Sequence, residues 1–200
     1  SALGAVDNKT FDDTPDLDEA IALAARFPTI LATYFRLRQG LEPVPPRPEY
    51  NTAQSYLYQL FGKEPEPRHW QPLDVYLVLL ADHGMNASTF TARVIASTES
   101  DLVSAITGAI GALKGPLHGG APSKVLDMLN EIGTADNVES WLTNALDSGQ
   151  RLMGFGHRVY KAEDPRAEIL RGMAEQASDP DFFALSKRTE ERALALLEGS

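Results

Sequence analysis

Three of the four histidines sit where glycine interrupts an otherwise helical pattern: His83 in DHGMN, His118 in GPLHGG and His157 in GFGHR. Glycine-rich breaks at helix ends expose backbone N–H groups and let a ligand come close to the chain. Taken singly, each histidine reads as a hydrogen-bonded structural residue, and His69, beside Trp70 in a Pro-rich stretch, keeps that reading. The other three together point to a site. A metal is disfavoured because none of them is paired at i, i+3 or i+4 and no HExxH pattern occurs. A Ser–His–Asp site has no GxSxG elbow to support it, and no GxGxxG follows a strand. What remains is imidazole acting as a hydrogen-bond donor and proton donor toward carbonyl oxygens, where negative charge develops as a carbon acid enolises. A partner that carries carboxylates needs arginine. Arg158, Lys161 and Arg166 fall within nine residues of a chain whose net charge is −10. Arg166 also follows a helix start at Pro165, where the helix dipole favours an anion. Taken alone, that stretch reads more readily as a solvated basic turn than as a site.

The elements that must hold these residues are helical almost throughout. Apolar positions Ala20, Leu23, Phe27, Ile30, Tyr34 and Leu37 recur at three- and four-residue steps, which makes one helical stripe. Thr14-Pro15 offers its cap and first residue, Gly40 its stop, and Pro28 is expected to kink or split it. Residues 42–49 carry four prolines and read as an extended connector. Asn51 caps the next helix and Gly62 ends it, before a second Pro-rich loop over 63–72. Residues 73–81 are apolar on nearly every side and predict a buried helix. Further helices are expected over 87–96, 101–113, 123–132, 137–146, 166–177 and 182–197, with Asp164-Pro165 starting the one at 166. The helix over 101–113 carries Ala105, Gly108, Ala109, Gly111 and Ala112, a composition suited to close approach of a neighbour. No segment alternates as a strand does, and the fold class is all-α.

Composition bounds the function. The chain has 200 residues, 43% hydrophobic and 23% charged, values of an ordinary globular protein. Its acidity disfavours nucleic acid as a partner. It has no cysteine, which removes disulfides and thiolate chemistry and fits a cytoplasmic location. The longest strongly apolar run, Val75 to Ala81, is too short to cross a bilayer, and neither a membrane span nor a targeting peptide is expected.

At these residues the sequence resembles the citrate synthase family. Residues 154–166 (GFGHRVYKAEDPR) match that family's signature, residues 115–121 (GPLHGGA) resemble its second histidine motif, and Ala81-Asp82-His83 with residues 86–90 (NASTF) resembles its first. The motifs stand in the family's order, and the likeness runs through essentially the whole chain, weakest around 42–72. The resemblance implies a multi-helical fold with a large domain over 1–118, a small one over 119–200 and a hinge at Gly119-Gly120. It also implies condensation of acetyl-CoA with oxaloacetate and hydrolysis of the citryl thioester, with no metal and no tightly bound cofactor. His118 would donate to the thioester oxygen, while His157 would polarise the oxaloacetate carbonyl and protonate the alkoxide. His83 and Arg166 would bind oxaloacetate. Lys161 and the loop Gly154, Phe155, Gly156, Arg158 would lie along CoA. A homodimer is implied as well.

Several features depart from the family pattern. Pro122-Ser123 stands in place of a common Asn-Glu pair, and Gly84-Met85 in place of an acidic residue. The family's proton-abstracting aspartate lies well downstream of GFGH and by spacing falls past Ser200; Asp179 and Asp181 are too near His157 to match it. The expectation is therefore an internal piece of such an enzyme, incomplete at both ends and itself inactive, since the missing base alone costs roughly 10²–10⁴-fold. A 2-methylcitrate synthase using propionyl-CoA, and a helical paralogue that binds CoA or a keto acid without turnover, are the alternatives. One methylene discriminates by only about 1–3 kcal/mol, so the motifs do not separate the two enzymes.

Overall fold

The structure, a computed structural model, describes residues 17–82, 84–119, 121–155 and 164–198. Among them the chain is helical with no strand: α1 Leu17–Arg38, α2 Thr52–Phe61, α3 Pro67–Leu79, α4 Ala87–Ala96, α5 Leu102–Leu113, α6 Ala121–Ile132, α7 Val138–Asp147, α8 Pro165–Ala177 and α9 Pro180–Glu198. The all-α expectation holds. The chain divides into two compact units, Ser1–Ala112 and Leu113–Ser200.

In the first unit the main pairing is α1 on α2. Small side chains suit it: Ala32 and Ala53 are fully buried, and Leu23 and Gln59 are buried on the same two helices. Gln59 satisfies its amide N–H within its own helix, on the Ser55 carbonyl and hydroxyl. Arg36, in the last turn of α1, fastens the pair. Its Nε donates to the Glu42 carbonyl at 2.6 Å and its Nη1 to the Leu60 carbonyl at 3.2 Å, so one cation satisfies the connector and a C-terminal carbonyl of α2. The Pro-rich connector is pinned by Arg47, which donates to the Tyr50 hydroxyl at 2.9 Å and lies 4.3 Å from the centre of the Tyr58 ring. The Tyr50 hydroxyl in turn donates to Glu64, and that bond pushes its pKa up. α2 opens with a full capping box, the Asn51 side chain accepting from Gln54 N and the Gln54 side chain from Asn51 N.

Three expectations are corrected in this unit. Pro28 does not split α1, which runs unbroken from Leu17 to Arg38; its ring removes one hydrogen bond from a 22-residue helix that also packs on α2. The loop expected over 63–72 ends at Glu66, because Pro67 takes the first helical position, where its missing N–H costs nothing, and Pro72 is carried inside α3. α3 is also not a buried helix: Val78 is 69% exposed and no residue of α3 is buried. Uninterrupted apolar runs also passed over α1, the described helix that by length and composition alone could cross a membrane, with a mean hydropathy of 1.2. Arg26 and Pro28 lie inside any such window, and α1 packs on α2.

The second unit has a continuous core. Met128, Leu129 and Ile132 of α6 meet Val138, Leu142 and Ala145 of α7, Leu152, and Leu185 and Ala193 of α9. Two ion pairs dress it: Glu139 of α7 holds Arg192 of α9 at 2.6 and 2.8 Å in an exposed pair, and Arg171 of α8 holds Glu190 of α9 at 2.8 and 3.2 Å in a part-buried one.

Candidate active site

Of the residues the sequence singles out, His118, Gly154, Phe155 and Arg166 are described. His83, Gly156, His157, Arg158 and Lys161 lie outside the described residues, as does Gly120 of the expected hinge.

His118 sits in the turn that follows α5. Its backbone N–H donates to the Gly115 carbonyl at 3.0 Å, and the residue is half-buried. The next residue has to be glycine. A Cβ on Gly119 would stand 2.7 Å from Leu113 Cδ1 and 2.8 Å from the Leu113 carbonyl oxygen, and the second of these is backbone that cannot rotate away. The turn is thus folded directly onto the end of α5, which fixes where the His118 ring starts from.

The signature segment is anchored at both described ends. At its start Gly154 takes φ +90°, a conformation L side chains rarely adopt, and an added Cβ would press on Val125 Cγ2 at 3.1 Å. Phe155 then packs against the core of α6, α7 and α9. The glycine makes the turn and the phenylalanine fastens it. At its far end Asp164 caps α8, accepting from Arg166 N at 3.0 Å, and Pro165 takes the first helical position. Arg166 is thereby set in the first turn of α8, a half-buried guanidinium beside the Asp164 carboxylate. α8 itself is tied to α9 through Arg171 and Glu190. A cation in a first turn is disfavoured by the helix dipole by about 0.3–1 kcal/mol, which the adjacent Asp164 carboxylate offsets. Chemically, this is a site able to take a carboxylate.

Among the described residues no three His, Asp or Glu side chains come together as metal ligands.

Residues 1–199 match the family described as citrate synthase, C-terminal domain. The chain belongs to the citrate synthase family. It is 45% identical over 197 residues to citrate synthase 2 of Bacillus subtilis, covering 96% of this chain and 53% of that protein. It is 48% identical over 183 residues to the citrate synthase of Deinococcus radiodurans, covering 90% and 48%. Among solved structures, the Thermoplasma acidophilum citrate synthase in ternary complex with carboxymethyl coenzyme A and oxaloacetate superposes with a TM-score of 0.87 at 34% identity, over 98% of this chain and 53% of that one. The Thermotoga maritima citrate synthase gives 0.79 at 44% identity, over 90% and 50%. The chain spans about half the length of the relatives it matches. The multi-helical fold expected from the motifs is therefore the fold found.

The sequence missed two features of the citrate synthase segment. Asp164 is legible as a cap, but its grip on the Arg166 side chain is not, because an i to i+2 side-chain pairing across a cap has no periodic signature. The contact of Gly119 with Leu113 depends on how the turn folds back, which composition does not encode.

Proposed function

We propose that this chain carries the greater part of a citrate synthase-type site, condensing acetyl-CoA with oxaloacetate and hydrolysing the citryl thioester to citrate and CoA. The observation that carries the reading is Arg166, half-buried at the start of α8 and ending a signature segment whose opening turn is fastened to the core. In this proposal Arg166 and His83 take the carboxylates and carbonyl of oxaloacetate. His118 donates to the thioester oxygen as a carboxylate base removes a methyl proton, so that the enol oxygen is stabilised as charge grows on it. The new C–C bond joins that carbon to the oxaloacetate carbonyl carbon, and His157 gives its proton to the resulting alkoxide. Water then cleaves the thioester and CoA leaves as its thiol. Gly154, Phe155, Gly156, Arg158 and Lys161 line the CoA side. A large domain over 1–118, a small one over 119–200, a homodimer and a cytoplasmic location belong to the same proposal.

The test is thiol release by the 200-residue chain with oxaloacetate and either acetyl-CoA or propionyl-CoA, beside a His118→Ala control. Its rate is read at high chain concentration. Release that needs oxaloacetate and disappears in the control supports the reading. Release indifferent to His118 removes that residue from the mechanism. A preference for propionyl-CoA selects 2-methylcitrate synthesis, and binding without release by a longer chain that includes the family's downstream aspartate selects the non-catalytic paralogue.

A further inference from the structure

Asp164 does two jobs with one carboxylate. Its Oδ1 accepts from Arg166 N at 3.0 Å, which caps α8, and also from Arg166 Nε at 2.9 Å. Its Oδ2 accepts from Nη2 at 2.6 Å and Nε at 3.2 Å. The carboxylate is therefore fixed by backbone geometry, and the Nε–Nη2 edge of the guanidinium is fixed by the carboxylate. Both side chains are partly buried, 19% exposed for Arg166 and 30% for Asp164. We infer that Asp164 is the positioning residue for Arg166, holding the guanidinium in one rotamer to receive an incoming carboxylate. This rests on the reading of Arg166 as a substrate ligand.

Two effects of the carboxylate oppose one another. Its charge weakens the field that attracts an anion, whereas its grip removes the rotamer freedom a long arginine would otherwise lose on binding. Ordering wins here because Asp164 is held by the helix cap and does not move to compete, and because a paired, partly wet carboxylate is screened. Immobilising one such side chain is worth a factor of roughly 3 to 10 in affinity.

Serine and asparagine cap helices about as well as aspartate, so they separate the two jobs. A serine side chain at this position is too short to reach the guanidinium, and an asparagine turns one of the two acceptors into a donor. Asp164→Ser and Asp164→Asn are expected to keep the helix content seen by circular dichroism. Both should weaken oxaloacetate binding by the 200-residue chain about 3- to 10-fold by calorimetry. In NMR spectra the Arg166 Nε–Hε resonance, protected from exchange in the parent, should lose that protection in Asp164→Ser. Unchanged affinity in both variants would reduce Asp164 to a cap, and tighter binding in both would make it a competitor; either result overturns the inference. Arg166→Ala binding oxaloacetate as well as the parent, or no binding by the parent, would instead remove the reading of Arg166 and the inference with it.

Discussion

At the scale of single residues, the segment that leads to His118 begins with a charge. Asp101 precedes α5, and its carboxylate accepts from Ser104 N at 2.8 Å and from Ser104 Oγ at 2.6 Å. The Ser104 hydroxyl, and after it the Ser104 N–H, hold the Asp101 pKa below the usual carboxylate range. A depressed folded pKa means that the unfolded chain binds the proton more readily. The resulting stability is fully present above the unfolded value of about 3.9 and is lost as pH falls through the lower folded value. Asp101→Asn keeps an oxygen at the cap but cannot titrate. Denaturant midpoints of the two proteins, measured from pH 7 down to pH 3, should differ by a constant amount above about pH 5 and converge below the unfolded value. A gap that stays constant to the lowest pH would mean Asp101 contributes nothing through its charge.

At the scale of elements, α5 carries two glycines with opposite surroundings. An added Cβ on Gly108 would lie 2.3 Å from Ile95 Cδ1 of α4, whereas one on Gly111 would meet nothing within 4 Å. The small-residue face of this helix is therefore used at Gly108 within the chain itself. Glycine inside a helix costs about 1 kcal/mol relative to alanine, and at Gly111 nothing opposes recovering it. Gly111→Ala should raise the melting temperature by about 2–4 °C. Gly108→Ala should give no gain or a loss, because Ile95 has to leave its rotamer to make room. Equal gains in the two variants would show that α4 and α5 do not approach as described. Elements of this kind were legible wherever the signal is local. Asn51, Gly62 and Asp164-Pro165 mark helix ends through one or two residues, and the structure keeps all of them. Exposure was not legible: residues 73–81 look buried because they are apolar, yet which face of α3 meets a neighbour is decided by distant segments. The site divides the same way. Its motifs could be read in sequence, while the grip of Asp164 on Arg166 and the seat of Gly119 on Leu113 required the folded chain.

At the scale of the whole molecule, the two units hold very different amounts of core. Among the described residues, the fully buried apolar side chains of Ser1–Ala112 are Leu23 and the three alanines 32, 53 and 105, and three alanines bury little surface. In the same unit Leu17, Tyr34, Val78 and Phe90 are each at least 59% exposed. The second unit buries Met128, Leu129, Ile132, Val138, Leu142, Leu152 and Leu185 in one cluster, each contributing roughly 1.5–3 kcal/mol of burial. Local opening free energy follows buried apolar contact. Hydrogen exchange on the intact chain should therefore show the slowest amides in α6, α7 and α9, and fast exchange through α3 and α4. Leu142 is fully buried at the centre of the cluster, so Leu142→Ala should cost about 2–5 kcal/mol. That loss should appear as faster exchange in all three core helices at once, since they share the cavity it leaves. Phe155 packs on the same cluster, so the opening turn of the signature segment should lose protection together with them. Acceleration confined to α7 would mean that the three helices do not open as one unit, and that the segment's anchorage is independent of the core beneath it.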